Sequence, residues 1–165
     1  MNNTKAIFLD IDGVLNSYGK DSKSKCENYA GVDKNKVKRL AEIVQKTNAI
    51  LVLTSTWKVG WEKTTNKINK PIASYHVKYL NNHLKKKGNL IITDKTKERN
   101  LACRGMGIKA YLVEHPEIIN WVVLDDEIFE DFSKYNILPH LIKINPEYGL
   151  TKKDADAAIT MLNNL

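Results

Sequence analysis

Residues 7–14 read Ile-Phe-Leu-Asp-Ile-Asp-Gly-Val, an apolar run that ends in two carboxylates, Asp10 and Asp12, followed by Gly13. Like charges held this close are unfavourable unless a cation or a proton joins them. The spacing predicts a hard divalent metal, an acid–base pair, or both, and hence a magnesium-dependent enzyme. Two later segments repeat the pattern. Ile50–Leu53 runs into Thr54-Ser55-Thr56, and Trp121–Leu124 runs into Asp125-Asp126-Glu127. A cation, Arg104, opens a helical pattern between them.

The elements that must hold these groups follow from the hydrophobic pattern. Strand-like and helix-like segments alternate along the chain, which predicts a parallel sheet with helices on its faces. Strands are expected at about 5–10, 50–53, 90–93, 121–124 and 141–144. Helices are expected at about 34–47, capped by Asp33, at 74–86, ended by Lys85-Lys86-Lys87-Gly88, and at 105–115, stopped by His115-Pro116. A last helix opens at Gly149-Leu150-Thr151, with Thr151 as N-cap and Asp154 in the capping-box position. Residues 16–32 read as a surface flap and 57–73 as irregular. In a parallel sheet all strand ends collect on one edge, so the two acid pairs, the hydroxyls and Arg104 converge there.

The bulk properties fit this reading. A chain of 165 residues, 42% hydrophobic and 27% charged, suits one globular domain over residues 1–165. No apolar run approaches the ~20 residues that span a bilayer, and the N-terminus leads straight into the first strand, so no secretory signal and a cytoplasmic location are expected. Cys26 and Cys103 lack metal-type spacing and read as reduced thiols. The four histidines, His76, His83, His115 and His140, show no ligand spacing and read as structural or solvated. The net charge of +7 suits a polyphosphate partner, but a solvated lysine-rich surface gives the same number, since only Arg39, Arg99 and Arg104 are arginines.

The sequence resembles haloacid dehalogenase (HAD) superfamily phosphatases. Phe8-Leu9-Asp10-Ile11-Asp12-Gly13-Val14, Leu53-Thr54-Ser55, the basic residue Arg104 and Leu124-Asp125-Asp126 match its four motifs in order. Thr54-Ser55-Thr56-Trp57-Lys58, Arg104-Gly105 and His140-Leu141-Ile142 before Gly149-Leu150-Thr151 further resemble the small HAD domains of bacterial "Swiss army knife" RNA-repair proteins. The resemblance implies a three-layer α/β/α Rossmannoid fold with a mostly parallel five-stranded sheet and a minimal cap. It implies Asp10 as nucleophile forming an aspartyl-phosphate, and Asp12 as general acid and then base. It implies Mg2+ held by Asp10, the Asp12 carbonyl and Asp125 or Asp126. Thr54 or Ser55 would bond a phosphoryl oxygen and Arg104 would neutralise its charge. The superfamily usually supplies lysine at the third motif, so Lys109 stands beside Arg104 as the alternative. Asp12 itself points to phosphomonoester hydrolysis or phosphotransfer, because members lacking that acid are dehalogenases or transport ATPases.

Gly13, Trp57, Lys58 and Lys109 complete the expected substrate-binding set, with Trp57 either stacking a base or packing and Lys58 either touching phosphate or solvated. The segments between motifs leave room for a flap but not a second domain, so an open site and a large substrate are expected. A phosphorylated nucleic-acid end leads. The alternatives are a free nucleotide or other small phosphomonoester, and a phosphate-binding module without catalysis.

Overall fold

The computed structural model describes residues 4–19, 25–26, 29–59, 61–62, 67–68, 71–97 and 103–164. In chain order the elements are β1 (Thr4–Leu9), β2 (Lys25–Cys26), β3 (Tyr29–Ala30), α1 (Lys34–Thr47), β4 (Ile50–Leu53), β5 (Trp61–Glu62), β6 (Lys67–Ile68), α2 (Pro71–Gly88), β7 (Ile92–Lys95), α3 (Arg104–Glu114), β8 (Ile118–Asp125), β9 (Leu141–Lys143) and α4 (Lys152–Asn163). Five strands form one sheet in the order β7-β4-β1-β8-β9, and every pairing in it is parallel. With helices on both faces this is the HAD-like α/β Rossmannoid fold. Two short antiparallel pairs, β2–β3 and β5–β6, lie outside the sheet.

β1 sits in the middle because its sequence is apolar on both sides. Ile7 and Leu9 enter one core cluster, which holds Val37, Leu40 and Ile43 of α1, Leu80 and Leu84 of α2, and Ala155, Ala158 and Leu162 of α4. Ala6 and Phe8 enter the other, with Ile108 and Tyr111 of α3 and with Phe132 and Ile137 of the segment before β9. Phe8 meets Tyr111 and Trp121 edge-on, at centroid distances of 5.7 and 5.8 Å. A run without polar alternation is what a strand covered on both faces requires.

The caps expected at Asp33 and Thr151 are present. The Asp33 carboxylate accepts from the Asn35 and Lys36 N–H groups, and Thr151 and Asp154 form the reciprocal capping box. Some boundaries differ from expectation: α2 begins at Pro71 rather than 74, β8 at Ile118 rather than Trp121, and two further shifts have a visible cause. The left-handed residue ending α2 is Asn89 (φ 53), not Gly88. Gly88 is small for another reason: a Cβ there would stand 3.0 Å from Val37 Cγ1 and 3.3 Å from Ala41 Cβ, where α2 closes on α1. The third sheet strand starts at Ile92 rather than residue 90, because Leu90 turns into the core and its N–H bonds the Leu84 carbonyl at the end of α2.

The two segments expected to be irregular are partly ordered. Asn16, Ser17 and Val32 are buried, and β2–β3 falls within the expected flap, of which residues 20–24 and 27–28 lie outside the described residues. Thr56–Lys58 is a single 3-10 turn, and α2 begins at Pro71, where a missing N–H is harmless. Cys103 is a free, exposed thiol, and the Cys26 and His76 side chains lie outside the described residues. Each of the other three histidines stacks on an aromatic ring: His83 on Tyr79, His115 on Tyr111 and His140 on Trp121. Among the described residues, no helix is long and apolar enough to cross a membrane.

Candidate active site

Strand register builds the site. Leu9 is paired with Leu53 of β4 on one side and Leu124 of β8 on the other, so the next residues, Asp10, Thr54 and Asp125, emerge side by side. The ladder continues past the strand ends: Asp10 N–H donates to the Leu124 carbonyl (3.0 Å) and Thr54 N–H to the Leu9 carbonyl (2.9 Å). These backbones are therefore fixed where their side chains meet.

Arg104 joins the acids. Its Nη1 lies 3.0 Å from Asp10 Oδ1 and also bonds Asp125 Oδ2, and all three side chains are buried. The guanidinium lies over the Phe129 ring, 4.3 Å from its centroid. Arg104 is the first residue of α3, and Cys103 before it makes no side-chain cap. Asp131, distant in sequence, caps instead, accepting from Gly105 N–H (3.1 Å) and Met106 N–H (2.8 Å). Lys109 is on the exposed side of α3. Of the two cations considered for the third motif, Arg104 meets Asp10 and Asp125, while Lys109 is exposed.

Asp12 is clamped from two sides. Trp57 Nε1 donates to its Oδ2 (2.8 Å), and Asn16 Nδ2 to its Oδ1 (2.9 Å). The Asn16 amide oxygen in turn accepts from Gly13 N–H (2.7 Å). Gly13 has φ +71, and a Cβ there would fall 2.3 Å from Asp126 Oδ2, so only glycine lets this loop approach the second acid pair. Trp57 is buried in the core, 6% exposed. Of its two expected roles, packing describes its ring, and its polar edge serves Asp12. Lys58 is buried too, its Nζ donating to Thr96 Oγ1 (2.6 Å), which overturns the expectation of a solvated side chain.

The hydroxyl pair divides. Ser55 Oγ accepts from Trp57 N–H (3.4 Å), capping the 3-10 turn. Thr54 Oγ1 is buried with no hydrogen-bond partner among the described residues, and so is Arg104 Nε. Buried polar atoms are nearly always satisfied, so two orphans beside Asp10 are what a bound oxyanion would complete.

Asp10, Asp125 and Asp126 each bring a carboxylate oxygen within 4.8 Å of the others. An all-carboxylate set of this size fits a hard divalent cation such as Mg2+. Burial pushes the Asp10 carboxyl up to about 7; Arg104 opposes this, while the charges of Asp125, Asp126 and Asp12 add to it. Asp125 and Asp126 are raised as well, chiefly by burial. At the rim, Tyr18 is 63% exposed. Its hydroxyl is pushed up to about 12 by partial desolvation and by the charges of Asp12, Asp126 and Asp10.

Asn16, Asp131, Phe129 and Tyr18 escape a reading of the sequence. Asn16 sits four residues beyond Asp12 in a tight turn, which is the one local signal for any of them. The rest reach the site through tertiary packing. Among known proteins, no curated sequence and no solved structure matches this chain. Residues 6–155 match the family described as the HAD domain in Swiss Army Knife RNA repair proteins. With this match spanning nearly the whole chain and the motif residues gathered on one edge of the sheet, the chain belongs to that HAD family.

Proposed function

We propose that this protein is a Mg2+-dependent phosphomonoesterase that works through an aspartyl-phosphate, within one domain, on phosphorylated nucleic-acid ends. The family supports a phosphatase-type activity. The observation that carries the reading is the pairing of a buried Asp10 on Arg104 with a separately clamped Asp12 two residues on. One acid is placed to attack phosphorus, the other to move protons.

In the first half-reaction Asp10 forms a bond to phosphorus as the ester oxygen leaves, and that oxygen takes the Asp12 proton. In the second, Asp12 takes a proton from water, which attacks the phosphoryl group and releases phosphate and free Asp10. Arg104, held through Nη1 by Asp10 and Asp125, offers its orphaned Nε to a transferring oxygen, and Thr54 Oγ1 donates to another. Asp10, Asp125 and Asp126 would hold the magnesium ion, which offsets repulsion between carboxylate and phosphate. Asn16 and Trp57 orient the Asp12 carboxyl.

Among the described residues the connection after β1 holds only the two-residue pair β2–β3, and that after β4 only one 3-10 turn and the pair β5–β6, which supports a site that a large substrate must help to cover. The test is magnesium-dependent phosphate release from 3′- and 5′-phosphorylated oligonucleotides, mononucleotides and an aryl phosphate, with Asp10→Asn as control. Turnover led by the oligonucleotides and lost in the variant supports the reading. Preference for small esters would replace the substrate class. Silence of the wild type on the whole panel would favour a phosphate-binding role.

A further inference from the structure

A second polar surface lies away from the acids. The groove between α1 and α2, of about 410 Å³, is lined by Lys38, Glu42 and Gln45 on one side and Lys85, Lys86 and Asn89 on the other. Lys87 closes its wall, with Nζ donating to the Val32 carbonyl (2.7 Å). The acid among these, Glu42, is already compensated, lying 2.7 Å from Lys46 and 3.3 Å from Lys152. The surface is therefore strongly cationic.

Helix chemistry alone explains part of it. Lysines in the last turn of α2 meet the negative end of its dipole. That accounts for Lys85–Lys87 but not for Lys38, which approaches them from α1. Cations brought together across a groove oppose folding by mutual repulsion, and a polyanion relieves it. One wall of the groove touches the segment that precedes α1: Lys87 Nζ reaches the Val32 carbonyl, and the next residue, Asp33, donates its N–H to the Leu15 carbonyl (2.8 Å) in the turn beyond Asp12.

Among the described residues, the large exposed apolar side chains lie outside the groove lining. A membrane-binding face would present them beside the lysines. A phosphodiester backbone needs only spaced cations and hydrogen-bond donors, which Lys38, Lys85, Lys86, Gln45 and Asn89 supply.

We propose that the α1–α2 groove binds the backbone of the polynucleotide whose terminal phosphate enters the Asp10 site. This rests on the reading of that site as a nucleic-acid-end phosphatase. It adds which surface selects a polymer over a small ester, and it gives part of the net positive charge a local use.

The test compares wild type with Lys38→Glu/Lys85→Glu/Lys86→Glu and with a control of equal charge change, Lys5→Glu/Lys134→Glu/Lys153→Glu. Binding of single-stranded RNA and DNA oligonucleotides is read by fluorescence anisotropy across a salt series, so no activity is required. The groove variant should lose at least tenfold in affinity and flatten the salt slope by about two, since each contacted phosphate contributes about 0.7 for single strands. The control should lose much less. Equal losses in both would overturn the groove and leave only net charge. Unchanged oligonucleotide affinity, with loss of binding to phosphatidylserine vesicles, would reassign it to a lipid surface. Aryl-phosphate hydrolysis separates the two ideas: intact hydrolysis with unchanged oligonucleotide binding in the groove variant sinks the groove alone. Groove-dependent binding by a wild type that hydrolyses nothing upholds the groove and sinks the phosphatase reading.

Discussion

Replacing Asp10 with asparagine should stabilise the metal-free protein at neutral pH while abolishing turnover. Asp10 is 5% exposed. Burial, with Arg104 opposing and the neighbouring carboxylates reinforcing, raises its carboxyl from the ordinary 3.8 to about 7. Because the folded state holds the proton more tightly, the unfolded chain ionises first. The Asp10 contribution to stability is therefore full below about pH 4, is lost as pH rises towards about 7, and changes no further above that. At about 1.36 kcal/mol per pH unit, the whole window corresponds to about 4 kcal/mol. Asp10 titrates together with its neighbours, which brings the expected gain to about 1–4 kcal/mol. Asparagine keeps an oxygen for Arg104 Nη1, now 3.0 Å away, and has no proton to lose. Urea unfolding in chelator across that pH range, for both proteins, should give a gap that is absent in acid, opens with pH and then holds constant. Excess Mg2+ should stabilise the wild type and narrow the gap, because binding to the folded state adds stability by mass action. A variant less stable than wild type above pH 7, or a gap that ignores pH, would refute the reasoning.

Trp57→Phe removes the indole N–H from Asp12 and keeps an aromatic ring in the core. A hydrogen bond to a charged group is worth about 1.5–3 kcal/mol, so kcat should fall about ten- to a hundredfold with KM nearly constant; a proportional rise in KM instead would point to substrate contact. Thr54→Val deletes a buried hydroxyl that has no partner among the described residues. Thermal stability should hold or rise slightly while kcat/KM drops at least tenfold, and a large loss of Tm would show that the hydroxyl is structural. Phe8→Ala empties a fully buried site between Tyr111 and Trp121. It should cost about 3–5 kcal/mol in urea unfolding, and a loss under about 1 kcal/mol would contradict the central placement of β1.

The acid motif, the hydroxyl pair and the second acid pair were legible because each follows an apolar strand, and a parallel sheet brings such ends to one edge. Caps were legible for the same local reason: Asp33 and Asp154 act on N–H groups within three residues. The end of α2 was less so. Gly88 looks like a stop signal, but contact with Val37 and Ala41 explains it and the left-handed turn falls to Asn89.

The sequence alone determined the order of the five sheet strands and the four helices, the family, and which residue types could do chemistry, since all of these are written in local periodicity and short motifs. It could not choose between Arg104 and Lys109, assign Trp57, or single out Thr54 over Ser55. Those choices rest on where α3 begins relative to β8, on the turn that hands Trp57 to Asp12, and on Ser55 being spent on that turn. They also rest on Asp131 and Asn16, whose partners are set by packing. Contacts between segments far apart in the chain leave no periodic trace in it; only the assembled sheet, through register and burial, decides them.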